Sequence, residues 1–204
     1  MEGHYKPTKA DLVKVERTFS DAFYDYPLHK YIVPDDDIRK KLLPKIFKVT
    51  AVYGYKFGNM VITSENCEGV MLYAPSNEHG PTITQLLKCG ALSLVFTRWN
   101  VTWLWRFNKV SRIIDKIRKK NAPVPHIYVA YLAVHPAHQG KGYARRLLVP
   151  LLKKAGEDHV PCYLETFEAK NVEIYKRIGF KLREECTIPG TPLILYSMLW
   201  RPTG

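Results

Sequence analysis

A chain of 204 residues, 46% apolar and 25% charged, is long enough for one well-buried domain and is ordinary for a soluble globular protein. The opening MEGHYKPTKADLVKVERTF has no uninterrupted apolar stretch of the kind a secretory signal needs, and the best apolar run, CGALSLVFT, is too short to span a bilayer. The net charge of +12 is unevenly placed: residues 81–120 hold nine Lys or Arg against one acid, Asp115, so one region rather than the whole surface calls for a partner.

In chain order, Thr8 with Asp11 three positions on forms a capping box that opens a helix to about Phe23. DAFYDYPLHKYIVPDDD reads as an irregular aromatic connection. Its acidic end, Asp35–Asp37, suits the start of a second helix that runs to about Phe57 with Pro44 inside. MVITS and GVMLYA read as strands joined by a polar turn around Glu65–Glu68. The basic segment reads as two helices, the second with an apolar stripe of Trp99, Trp103, Phe107, Val110, Ile114 and Ile117. Its cations form a solvated face, or else a substrate lid, an oligomer contact, a membrane-surface helix or a nucleic-acid face. Tryptophans at packing positions argue against the last, where aromatics stand exposed among the cations.

After NAPVP, HIYVAYLAV is apolar on both alternating faces, as in a central strand covered on both sides. GYARRLLVPLLKKAGED is an amphipathic helix despite Pro150; CYLET is a strand; KNVEIYKRI is a short helix stopped by Gly179; FKLREECTI and LILYSMLW are strands. The expected architecture is one α/β domain over residues 1–204, a mixed and mostly antiparallel sheet flanked by helices, with an extra helical segment at 81–120. Four widely spaced cysteines without a CxxC pair point to reduced, mostly buried thiols in the cytoplasm. His135 and His138 have no third ligand nearby, so no metal is expected.

Between the central strand and the following helix stands AVHPAHQGKGYARRLL. Bare N–H groups converge in such turns and the helix dipole favours an anion. A dinucleotide fingerprint starting at Gly140 would need glycine where Arg145 stands, and the Walker pattern is absent. What remains is Gln139-Gly-Lys-Gly142-Tyr-Ala144 directly after a central strand. This resembles the pyrophosphate loop, [QR]-x-x-G-x-[GA], of the GNAT superfamily of acyl-CoA-dependent N-acyltransferases. NVEIYKRIGF resembles that family's N-x-x-x-x-[FY]-x-x-x-G-F region, with the aromatic, Tyr175, one residue early. AHQGKG, VPCYLET and IYKRIGF, with DYP near residue 25, look like the branch that includes puromycin N-acetyltransferase. The likeness covers most of 125–204, the first 30 residues loosely and the basic segment hardly at all.

The resemblance implies a V-shaped opening between AYLAV and CYLET, with acetyl-CoA as co-substrate and no metal. The pantetheine arm would bond to backbone around Leu132, Ala133 and Val134, and the pyrophosphate would sit on the N–H groups of Gln139, Gly140, Lys141, Gly142, Tyr143 and Ala144. Asn171 and Tyr175, four apart on one helical face, would meet the co-substrate, with Tyr175 as general acid or simply packed on pantetheine; Ile174 and Ile178 suit core packing. Glu165 is the candidate base or a structural carboxylate. Tyr24, Asp25 and Tyr26 offer aromatic faces and an anion to an acceptor. The expected reaction is direct attack of a small-molecule primary amine on the acetyl group in a ternary complex. A peptide or protein amine, or a non-catalytic acetyl-CoA sensor, are the alternatives; no nucleic-acid partner or integral membrane segment is expected, and a homodimer is compatible with the sequence.

Overall fold

The computed structural model describes residues 5–76, 81–95 and 101–202. A 3-10 turn, Lys9–Asp11, leads into α1 (Leu12–Phe23), and Asp11 accepts hydrogen bonds from the Thr8 N–H at 2.8 Å and hydroxyl at 2.7 Å. The connection read as irregular holds a short helix, α2 (Pro27–Ile32), whose first residue is a proline, placed where a missing N–H costs nothing. α3 (Asp36–Phe57) starts on Asp35, whose carboxylate accepts from the Ile38 N–H at 2.9 Å. β1 (Asn59–Ile62) and β2 (Gly69–Pro75) follow.

The described residues of the basic segment form α4 (Ile83–Lys88), α5 (Leu92–Val95) and α6 (Val101–Asn121). A break falls at Gly90, whose φ of +88° is left-handed and ends α4. Arg98 and Trp99 lie outside the described residues. On α6 the inward residues are Trp103, Val110 and Ile117, seven apart. Phe107, expected in that stripe, falls at its edge and is 52% exposed. The remaining elements are β3 (Ile127–Val134), α7 (Tyr143–Glu157), β4 (Cys162–Thr166), α8 (Ala169–Ile178), β5 (Lys181–Thr187) and β6 (Ile194–Trp200).

The six strands form one sheet in the order β1-β2-β3-β4-β6-β5, antiparallel throughout except at β3–β4. Each face has its own helical layer. Met71, Val129, Cys162, Leu164 and Met198 pack against Leu148, Leu151 and Leu152 of α7 and Val172 and Tyr175 of α8. On the other face Ile62, Val70, Leu72 and Ala133 meet Phe19 of α1 and Leu43 and Phe47 of α3. Further along that face α6 covers β6, with Val110 and Ile117 against Leu195.

The ladder between β2 and β3 slips by one residue: Leu72 pairs with Tyr131 and Tyr73 with Val129, leaving Ala130 as the extra residue of a bulge. A bulge bends its strand and reverses which face each later side chain takes. Val129 therefore faces α7, whereas Tyr131 and Ala133 face α1 and α3.

Candidate active site

Immediately past the same point β3 leaves its parallel neighbour. The β3–β4 ladder consists of Ile127 opposite Cys162 and Tyr128 opposite Tyr163, although β3 continues to Val134 and β4 to Thr166. The His135 N–H bonds to the Glu68 carbonyl at 2.9 Å, so by strand alternation the backbone groups of Ala133 serve β2. Those of Leu132 and Val134 then point into the gap where β4 has diverged. The Gln139 side-chain amide closes one of them, donating to the Val134 carbonyl at 3.2 Å.

At the mouth of the gap, a 3-10 turn (Pro136–His138) is followed by Gly140 and Gly142 with φ of +78° and +80°. A Cβ at either glycine would meet no protein atom within 4 Å, so the backbone conformation, not crowding, demands glycine there. Gln139 differs from its expected role. Its N–H is already bonded to the Pro136 carbonyl at 3.3 Å, and its side chain fixes Val134, so it shapes the loop and offers no backbone donor. Among the described residues, the N–H groups of 140–145 are left without a backbone acceptor, and the first inward bond of α7 runs from the Arg146 N–H to the Gly142 carbonyl. Six donors at a helix start, unaided by any side-chain cap, make an anion seat. Lys141 donates to the Ala137 carbonyl at 3.0 Å and stabilises the loop; Arg145 is exposed.

The far lip of the gap is the end of β4. The buried Thr166 hydroxyl is a hub: it bonds the Tyr26 hydroxyl at 3.1 Å and accepts from the Asn171 amide at 3.2 Å and the Glu168 N–H at 3.2 Å. Tyr26 also accepts from the Phe167 N–H at 2.7 Å, and burial raises its hydroxyl to about 12. Tyr175 lies buried on α8 beside Phe180, its acidity weakened first by burial and then by the nearby Tyr26 and Glu168. The inward face of α8 is Val172 and Tyr175, with Ile178 half-buried. Ile174, expected in the core, is 43% exposed, since a residue next to Tyr175 is turned about 100° away.

Glu165 faces the opposite side of the sheet, toward α6. Burial raises its carboxyl to about 7, opposed by the Tyr128 hydroxyl, the Arg118 guanidinium and the Tyr163 hydroxyl. Arg118 reaches down from α6, 4.4 Å over the Tyr128 ring and 2.7 Å from Asp115. Three buried atoms here lack hydrogen-bond partners: Glu165 Oε1, Tyr163 Oη and Ser197 Oγ. Ser197 is directly opposite Glu165 on β6, and Tyr163 is two residues before Glu165 on the same face of β4. Next to this polar cluster stands an aromatic wall: Phe23 contacts Tyr26 at 5.3 Å, His29 at 5.5 Å and Tyr131 at 6.1 Å between ring centroids. His29 has an unpartnered Nδ1, and burial followed by the charge of Arg39 lowers its pKa to about 4.

Tyr24 and Asp25 are engaged elsewhere. The Tyr24 hydroxyl donates to Asp36 at 2.7 Å, its ring lies 4.9 Å under buried Arg39, and Asp25 pairs with Lys30 at 2.7 Å. The turn out of α1 sends three successive side chains in different directions, and only Tyr26 reaches β4. The structure thus brings Leu132, Val134, the 140–145 N–H groups, Asn171, Tyr175, Glu165 and Tyr26 around one gap. Thr166, Tyr128, Arg118 and His29 were missed. Tyr128 was open to detection, as a tyrosine interrupting an apolar strand; Arg118 was one of many cations in its segment.

A family model described as acetyltransferase (GNAT) family matches residues 98–180, the stretch that contains the bulge, the gap, the glycine loop and Tyr175. A crystal structure titled histone acetyltransferase HPA2 and related acetyltransferase, from Corynebacterium glutamicum, superposes with a TM-score of 0.64 at 18% identity, covering 98% of this chain and 96% of that one. The chain has the fold of the GNAT acetyltransferases. Mosquito arylalkylamine N-acetyltransferase-like 5b shares this GNAT fold, with a TM-score of 0.60 at 11% identity over 97% of this chain and 98% of that one. An uncharacterized N-acetyltransferase of Schizosaccharomyces pombe is 26% identical over 175 residues, 83% of this chain and 70% of that protein.

Proposed function

We propose that the chain transfers the acetyl group of acetyl-CoA to a primary amine of a small molecule, by direct attack in a ternary complex. The observation that carries this is the gap between β3 and β4, because one wall turns the backbone of Leu132 and the N–H of Val134 into it, its mouth offers six N–H groups, and its two faces hold a carboxyl and a phenol. Those groups fit the co-substrate's parts. Leu132 and Val134 would hold the amide-bearing arm, and the N–H groups from Gly140 through Lys141, Gly142, Tyr143 and Ala144 to Arg145 would hold the pyrophosphate. Acetyl-CoA supplies an activated thioester; the chain's own work is to orient it, exclude water and move two protons.

Glu165 takes the proton that the attacking ammonium must lose. A carboxyl near 7 is balanced between holding and releasing a proton at neutral pH. Tyr175, on the opposite face of the sheet, stays protonated and serves as donor to the departing sulfur. Asn171, held by Thr166, sets the lip of the gap. The half-buried rings of Phe23, Tyr26 and Tyr131, beside the neutral imidazole of His29, suit a flat aromatic amine better than a polycationic peptide tail. The puromycin-like branch rests on the motifs AHQGKG, VPCYLET and IYKRIGF alone, and we carry over from it the co-substrate and reaction, not the antibiotic. Four free cysteines accord with the cytoplasm.

Calorimetric titration with acetyl-CoA tests the seat. Wild type is expected to bind, and Gly142→Trp to lose binding while keeping its circular dichroism spectrum. Unchanged binding by that variant would overturn the placement.

A further inference from the structure

Among the described residues of the basic segment, Arg118 and Asp115 are the ones that act on the Glu165 carboxyl. The face of α6 opposite Trp103, Val110 and Ile117 starts with Leu104 (44% exposed) and Trp105 (59% exposed) and continues at helical spacing with Arg112, Lys116 and Lys119. Those three cations are exposed, and no acidic partner is recorded for them among the described residues. Trp105 carries Lys109 over its ring at 5.4 Å, so the expectation that the tryptophans of this segment sit at packing positions fails for it. Ile83, Leu87 and Leu92 are exposed on the preceding helices. Single exposed apolar side chains are ordinary, but such a run on successive helices, within a segment carrying an excess of eight positive charges, is not.

We propose that this face docks on an anionic lipid bilayer surface, with Leu104 and Trp105 entering the boundary between headgroups and acyl chains and Arg112, Lys116 and Lys119 lying against acidic headgroups. Charge decides the class of partner, because a second copy would bring the same excess of cations and be repelled. The aliphatic side chains decide between the two polyanions. Bases could stack on Trp105, but they leave Leu104 without an apolar contact, whereas the interfacial layer of a membrane accepts both chemistries. No described helix is long and apolar enough to cross a membrane, so the contact is peripheral. It belongs to a face independent of the acetyl-transfer reading.

Co-sedimentation of the full chain with phosphatidylcholine vesicles, with and without phosphatidylserine, tests it. Binding is expected to require phosphatidylserine and to fall as sodium chloride is raised. Lys119→Ala should weaken it about fivefold, the triple variant Arg112→Glu/Lys116→Glu/Lys119→Glu by at least about a hundredfold, and Trp105→Ala at least about tenfold. The single variants keep the test usable if the triple variant fails to fold. Phosphatidylserine-independent binding, equal binding by charge-reversed chain, binding to single-stranded DNA but not to vesicles, or a dimer that buries Trp105 would each overturn the proposal.

Discussion

Glu165 joins stability to chemistry at the scale of a single side chain. Its carboxyl titrates near 7 in the folded chain against an ordinary value of 4.5, because burial penalises the charge more than Tyr128, Arg118 and Tyr163 favour it. Between those values the folded chain keeps a proton that the unfolded chain has released, so stability falls as pH rises through that window. Above it the loss reaches about 3 kcal/mol. Glu165→Gln should therefore raise the urea midpoint at pH 8 and leave it nearly unchanged near pH 4, while lowering amine-dependent turnover by roughly 10²–10⁴. Wild-type kcat/KM should rise with pH through about 7. His29 has the opposite sign: held near 4, it binds a proton on unfolding between that value and 6.5, so stability is lost as pH falls through the window. His29→Phe should flatten the acid limb of a pH–stability profile measured by thermal melts. Tyr175→Phe removes the donor and keeps the ring, so kcat should fall about tenfold or more with acetyl-CoA affinity intact.

At the scale of elements, the bulge at Ala130 and the turn from β3 into α7 do the positioning. Leu151 of α7 is 1% exposed against β4 and α8, and Leu151→Ala should cost roughly 2–5 kcal/mol in chemical denaturation. Helical periods made α7 and α8 readable, short apolar runs marked β3 and β4, and the spacing of Gln139, Gly142 and Ala144 marked the loop. The aromatic connection hid α2 because six residues are too few to display a period. The gap came from the family likeness, since no local pattern says where two parallel strands part. Thr166 and Tyr26 meet across 140 positions, and Arg118 reaches a carboxylate 47 positions away. Such contacts leave no periodic trace. Tyr24 and Asp25 were drawn toward the acceptor by adjacency to Tyr26, but side chains on one turn diverge.

For the whole molecule, the arrangement separates labour. In the proposed reaction one end of the sheet opens for the acyl donor and the face under α1, α2 and α3 supplies aromatic rings for the acceptor, while α6 contributes Arg118 beside Glu165 and turns its Trp105 face to solvent. The co-substrate should act as a folding ligand: at a concentration a hundred times its Kd, acetyl-CoA should add about 2.7 kcal/mol and raise Tm, an effect absent in Gly142→Trp. The most direct measurement of the central claim is free-thiol release from acetyl-CoA with a panel of aromatic, aliphatic and peptidyl amines. The account predicts release that depends on the amine, is strongest with small aromatic amines and is largely lost in Glu165→Gln. Tight acetyl-CoA binding with no release on any amine would contradict it.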